Sequence, residues 1–140
     1  MATHTTNTPN TFVRLAGDSP VTAAQIPPLK ASGPTAANIQ YDMVLNHPYK
    51  YSSDDVIFEV YAQKQDIARS ERAAAREAFF AKGQPCMRAS ALTKRYGWGV
   101  HSDPEGKIAL VPAGTPEYEQ FAAREDLKQV QAMRTSRVGK

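Results

Sequence analysis

The chain has 140 residues, 41% of them apolar, with a formal net charge of +3 and a single cysteine. That size suits one compact domain with its own core; one cysteine excludes an internal disulfide, and no run approaches the roughly 18 apolar residues that suggest a membrane span. The charge is uneven, with three basic and five acidic side chains in residues 1–60 but fourteen and nine in residues 61–140, which leaves the second half open to an anionic partner.

Residues 1–10 form a polar arm without the charged start and apolar run of a secretory signal, so the expected address is the cytoplasm. Such an arm orders only if something ties it down. Thr11 to Ala16 alternates as a half-buried strand. The stretch from Gly17 to Pro34 holds four prolines and two glycines and is expected to be a long wrap with Val21 and Ile26 tucked in.

Ala36, Ile39, Met43 and Val44 fall at helical spacing behind the caps Ser32 and Thr35, and Pro48 ends that helix. Ser52-Ser53-Asp54-Asp55 combines cap residues with acids suited to a helix start, which favours helix over strand for Val56 to Ala62 although both periods fit. Asp66 to Lys82 predicts a helix with an inward stripe through Ile67, Ala74, Ala75, Ala78 and Phe79, stopped by a left-handed Gly83. Gln84 to Ser90 is compatible with extended chain. Tyr96 to Ser102 and Lys107 to Val111 flank the turn Asp103-Pro104-Glu105-Gly106 and predict a hairpin, with Trp98, Val100 and Ser102 on one face and Gly97, Gly99 and His101 on the other. Thr115-Pro116 opens a further helix, and Leu127, Val130 and Met133 suggest another over 126–133. Residues 134–140 are a basic tail.

The fold expected is therefore α+β: a single domain over 11–133, its small, mainly antiparallel sheet built on the 96–111 hairpin and packed against three or more helices. The segment KGQPCMRASALTKRYGWGVHSDPEGKIAL resembles a bacterial and fungal family known as domain of unknown function 6157, and HTTN, NTF, ANIQYDM and YSSDDVIFEV extend the resemblance over most of the chain. Ala91 departs from it where a proline is expected. The resemblance implies relatives but no activity, cofactor or catalytic residue.

Chemistry concentrates in residues 84–111. Arg88, Lys94, Arg95 and Lys107 lie in a stretch with no acid between Lys82 and Asp103, and Tyr96, Trp98 and His101 are interleaved with them. Guanidinium and ammonium groups take phosphate or carboxylate while aromatic rings stack on flat ligands, so Arg88, Lys94, Arg95, Tyr96, Trp98 and His101 form a candidate site for a nucleotide, phosphate or carboxylate, closed by the arm through His4 and Asn7. Nucleic acid is a less favoured partner. A second possibility is a small enzyme with Cys86 as nucleophile, His101 as base and Asp103 as orienter. The third is an interaction scaffold, with an edge strand at 107–111 pairing with another protein or a second copy. His4, His47 and His101 are too scattered for a metal site, and no phosphate-binding or dinucleotide glycine motif indicates a cofactor.

Overall fold

In the computed structural model, which describes residues 4–134, a four-stranded sheet carries helices on both faces. Strands β1 (Thr11–Arg14), β2 (Trp98–Ser102), β3 (Ile108–Pro112) and β4 (Lys128–Gln131) lie in the order β3-β2-β1-β4. The pairs β1/β2 and β2/β3 are antiparallel and β1/β4 is parallel, so the expected α+β domain is present with a mixed sheet. The helices are α1 (Ala36–Asn46), α2 (Ser53–Lys64), α3 (Arg72–Phe79), α4 (Ala91–Lys94) and α5 (Pro116–Ala123).

Local chemistry explains most of these elements. Thr35 and Asn38 form a reciprocal capping box on α1, and Ser52 and Asp55 do the same on α2, satisfying backbone donors that a helix start leaves unpaired. That box resolves the ambiguity over 56–62 in favour of helix. In the hairpin turn, Gly106 adopts φ +82° and donates to the Asp103 carbonyl, while Asp103 Oδ1 accepts from Glu105 and Lys107 N–H at 2.9 Å each.

Alternation along the strands divides the core. One sheet face contributes Val13, Trp98, Val100, Ile108 and Leu110 to a cluster with Val44 of α1, Val56 of α2 and Leu92 of α4. The other packs Phe12 and Val111, with Leu127, against Tyr118 and Phe121 of α5. A third cluster joins Phe58 and Ala62 of α2 to Phe80 and Phe79.

Four expectations about local structure are corrected. Residues 126–133 do not form a helix: Lys128 N–H donates to the Asn10 carbonyl and Ala132 N–H to that of Arg14, which aligns β4 with β1. Leu127 then serves the α5 side and Val130 the opposite side, so their three-residue spacing marks two sheet faces. The helix expected from Asp66 to Lys82 is confined to Arg72–Phe79 after a 3₁₀ turn at Arg69–Glu71, because Asp66 turns left-handed at φ +53° and Ile67 N–H closes back on the Ala62 carbonyl; Ala74 and Ala78 are exposed. Its end is held by the Gln84 side-chain amide on the Phe79 carbonyl at 2.7 Å, and Gly83 is not among the positive-φ glycines. Residues 87–89 form a 3₁₀ turn leading into α4, with Thr93 donating to the carbonyls of Met87 and Ser90. In the long wrap Ile26 faces outward, although Pro27 is buried and Asn38 donates to its carbonyl. The expected tail lies, from residue 135 onward, outside the described residues.

Candidate functional site

The arm is tied down by Asp54, near the start of α2. Its Oδ1 accepts both the N–H and the hydroxyl of Thr6 at 2.6 Å, and its Oδ2 accepts the Thr5 hydroxyl at 2.6 Å. Asn7 Oδ1 accepts the Asp54 N–H, and His4 N–H reaches the Phe80 carbonyl. This docking turns Thr6 and Thr8 into one wall of a cavity.

The cavity, of about 190 Å³, lies on the sheet face that carries Trp98. Its floor follows directly from strand register. Ser102 and Lys128 both pair with Thr11, and Ile108 pairs with Ser102, giving one cross-sheet row of Ile108, Ser102, Thr11 and Lys128. The adjoining row contributes Val100, Val13 and Val130. Ser53 and the Cys86-Met87-Arg88 segment complete the walls.

Polar groups here are incompletely used. Ser102 is 3% exposed, yet among the described residues its hydroxyl has no hydrogen-bond partner. Arg88 Nε donates to the Gln131 carbonyl at 2.6 Å, but neither Arg88 nor Lys128 forms an ion pair among the described residues. Asp54, the nearest acid in the chain around Ser53, lines a different hollow with His4, Thr5 and Arg76. Two exposed cations without an ion pair among the described residues, a half-buried thiol and the Ser102 hydroxyl thus border a floor whose apolar part is Val13, Val100, Ile108 and Val130.

Of the residues singled out from sequence, Cys86 and Arg88 reach this cavity. Lys94, Arg95 and Tyr96 lie on and after α4, with Arg95 exposed and Tyr96 packed against the first core cluster. Trp98 is only 7% exposed, donates from Nε1 to the Gln25 carbonyl at 2.8 Å and meets Tyr41 edge-on, so it is a core residue without a free stacking face. The face with two glycines is likewise filled. A Cβ on Gly99 would come within 2.7 Å of the Phe12 ring, and one on Gly97 within 2.4 Å of the Ala23 carbonyl oxygen.

His101 occupies the α5 side of the sheet, with Nδ1 2.7 Å from the Tyr49 hydroxyl and its ring 4.5 Å from that of Phe121. Burial, reinforced by Arg124, holds its imidazole below the ordinary value near 6.5, while Asp103 and Asp126 oppose that shift. Burial also pushes the Tyr49 hydroxyl up, with Glu117 and Asp103 adding to it. His101 and Cys86 therefore stand on opposite sides of the sheet, and the Asp103 carboxylate holds the hairpin turn. The structure does not bring the three together. His4 and Asn7 belong to the arm, but it is Thr6 and Thr8 that line the cavity. No group of three His, Cys, Asp or Glu side chains gathers at metal-binding distance among the described residues.

A family model described as a family of unknown function, DUF6157, matches residues 3–138. The chain belongs to this family. A search of curated proteins found no match, and a search of solved structures found none. The match, over nearly the whole chain, includes every residue lining the cavity. No described helix of this DUF6157 chain is long and apolar enough to cross a membrane.

Sequence reasoning missed Thr6, Thr8, Thr11, Ser53, Ser102 and Lys128. Only strand register assembles the last two with Thr11, and Lys128 was hidden inside an expected helix.

Proposed function

We propose that the protein is a binding module for a small organic anion, held in the cavity between the arm, the Cys86–Arg88 segment and the sheet. The observation that carries this is the lining itself: the exposed Arg88 and Lys128 without an ion pair among the described residues, beside a Ser102 hydroxyl that opens onto the cavity and has no partner among those residues. Cations without an ion pair beside an apolar wall attract an anion, and a hydroxyl donor open to the cavity adds a directed hydrogen bond. Val13, Val100, Ile108 and Val130 give the ligand an apolar body to rest on, which favours an organic carboxylate over inorganic phosphate.

A volume of about 190 Å³ falls below the roughly 300–1,000 Å³ usual for larger ligands. A compact acid of a few carbons fits this better than a nucleotide. Single-stranded nucleic acid is disfavoured for a separate reason, since Trp98 has no open ring face to stack on.

Calorimetric titration with butyrate and with phosphate, at low and moderate salt, tests the reading. Saturable binding of butyrate that weakens with salt and falls about tenfold in Arg88→Gln or Lys128→Gln supports it. Failure of every small carboxylate to bind, or butyrate binding unchanged in both variants, overturns it.

An interaction role retains one specific support. Ile26 and Leu29 are 72% and 80% exposed on either side of Pro27-Pro28, on a loop pinned from behind by Asn38, and so form a fixed apolar ridge. The edge strand proposed for that role is partly closed, because Tyr49 N–H and the Tyr51 carbonyl already bond the outer side of Ile108.

A further inference from the structure

Hydrogen-bond bookkeeping around the cavity narrows the ligand. A hydroxyl group has one proton to give and lone pairs that accept. Thr6 spends its proton on Asp54 Oδ1 at 2.6 Å, so the 2.8 Å contact between Thr6 and Ser53 must use the proton of Ser53. Thr11 spends its own on the Pro9 carbonyl at 3.0 Å. Ser53 and Thr11 therefore offer the cavity lone pairs alone, although both are hydroxyl residues. Ser102, with no partner among the described residues, keeps its proton, and Arg88 and Lys128 are donors by nature. Thr8, on the outer wall, can rotate to serve as either.

The lining is thus divided into donors and acceptors. A simple carboxylate satisfies the donors and leaves Ser53 and Thr11 facing it with lone pairs, which repel an anion. A ligand that also carries a donor uses both sides. That donor is neutral, because an ammonium group would be placed among Arg88 and Lys128 with no acid in the lining to offset it. Resting on the anion-site reading above, we propose that the ligand is a small hydroxycarboxylate: its carboxylate meets Arg88, Lys128 and Ser102, and its hydroxyl gives its one proton to the lone pairs that Thr11 and Ser53 present, one of them at a time.

Calorimetry on the full chain, comparing 3-hydroxybutyrate with butyrate, separates this inference from the one it rests on. The hydroxy acid is expected to bind about tenfold more tightly, the worth of one well-made neutral hydrogen bond. Thr11→Val, whose fold is checked by its melting temperature, should shrink that preference to about twofold. Ser53→Ala provides the same test without touching the Thr11 to Pro9 bond. Equal affinity for the two acids overturns the hydroxycarboxylate assignment while leaving the anion site standing, as does a preference that survives both substitutions. Failure of both acids to bind overturns the anion site and this inference with it.

Discussion

Ser102 and Lys128 stand on either side of Thr11 in one row across the sheet, the first placed by the antiparallel pairing of β1 with β2 and the second by the parallel pairing of β1 with β4. The contrast between the Ser102 hydroxyl, open to the cavity, and the buried hydroxyl of Thr93 is testable. Thr93 donates to two carbonyls at 3.0 Å, whereas Ser102 donates to none among the described residues. Thr93→Val should therefore cost about 1 kcal/mol or more, while Ser102→Ala should be neutral or slightly stabilising. Chemical denaturation of the two variants checks the difference.

Gly99 is the close-approach point of β2 with β1 and α5. A methyl group there would lie 2.7 Å from the Phe12 ring and 3.0 Å from that of Tyr118. Phe12 is fully buried and cannot move aside freely. Gly99→Ala should destabilise by about 1–3 kcal/mol through overpacking, visible as a lowered denaturation midpoint at unchanged slope.

How much of this was legible beforehand follows from how local each signal is. Caps, the Asp103–Gly106 turn and the two faces of β2 depend on neighbouring residues, and the sequence pattern located them. The strand at 128–131 depends on a partner more than a hundred residues away, and nothing within its own few residues distinguishes two sheet faces from one helix stripe. The cavity shares that dependence. Arg88 and Cys86 were visible as a basic, thiol-bearing segment, but their hydroxyl neighbours come from the arm, α2 and two strands. Trp98 and His101, both candidates for one ligand site, are three apart on a strand and so face opposite ways.

The buried His101 gives stability a pH dependence with a defined sign. Its imidazole is held below its ordinary value near 6.5 in the folded state. Unfolding therefore takes up a proton in the window between the folded and unfolded values, so its contribution is fully present above about pH 6.5 and is lost as pH falls through the folded value. His101→Gln should flatten the fall in stability just below pH 6.5, measured by denaturation at a series of pH values. A slope that persists unchanged in the variant would assign it to other groups.

The arm depends on one carboxylate. Asp54→Ala removes the acceptor for Thr5 and for both Thr6 donors, leaving a buried Thr6 without its principal partner. Amide hydrogen exchange at Thr5 to Asn7 should accelerate by tenfold or more, while that of β2 changes far less, since it is paired on both sides within the sheet. Equal acceleration in both regions would mean that Asp54 supports the whole fold and not the arm alone.

Whether the cavity takes an organic acid is tested most directly by amide-resolved NMR titration of the unmodified protein with butyrate and 3-hydroxybutyrate at low salt. Saturable shifts centred on Thr6, Thr11, Arg88, Ser102 and Lys128 are predicted, with the α5 face left still. No saturable shift, or shifts confined to Lys94 and Arg95, would contradict it.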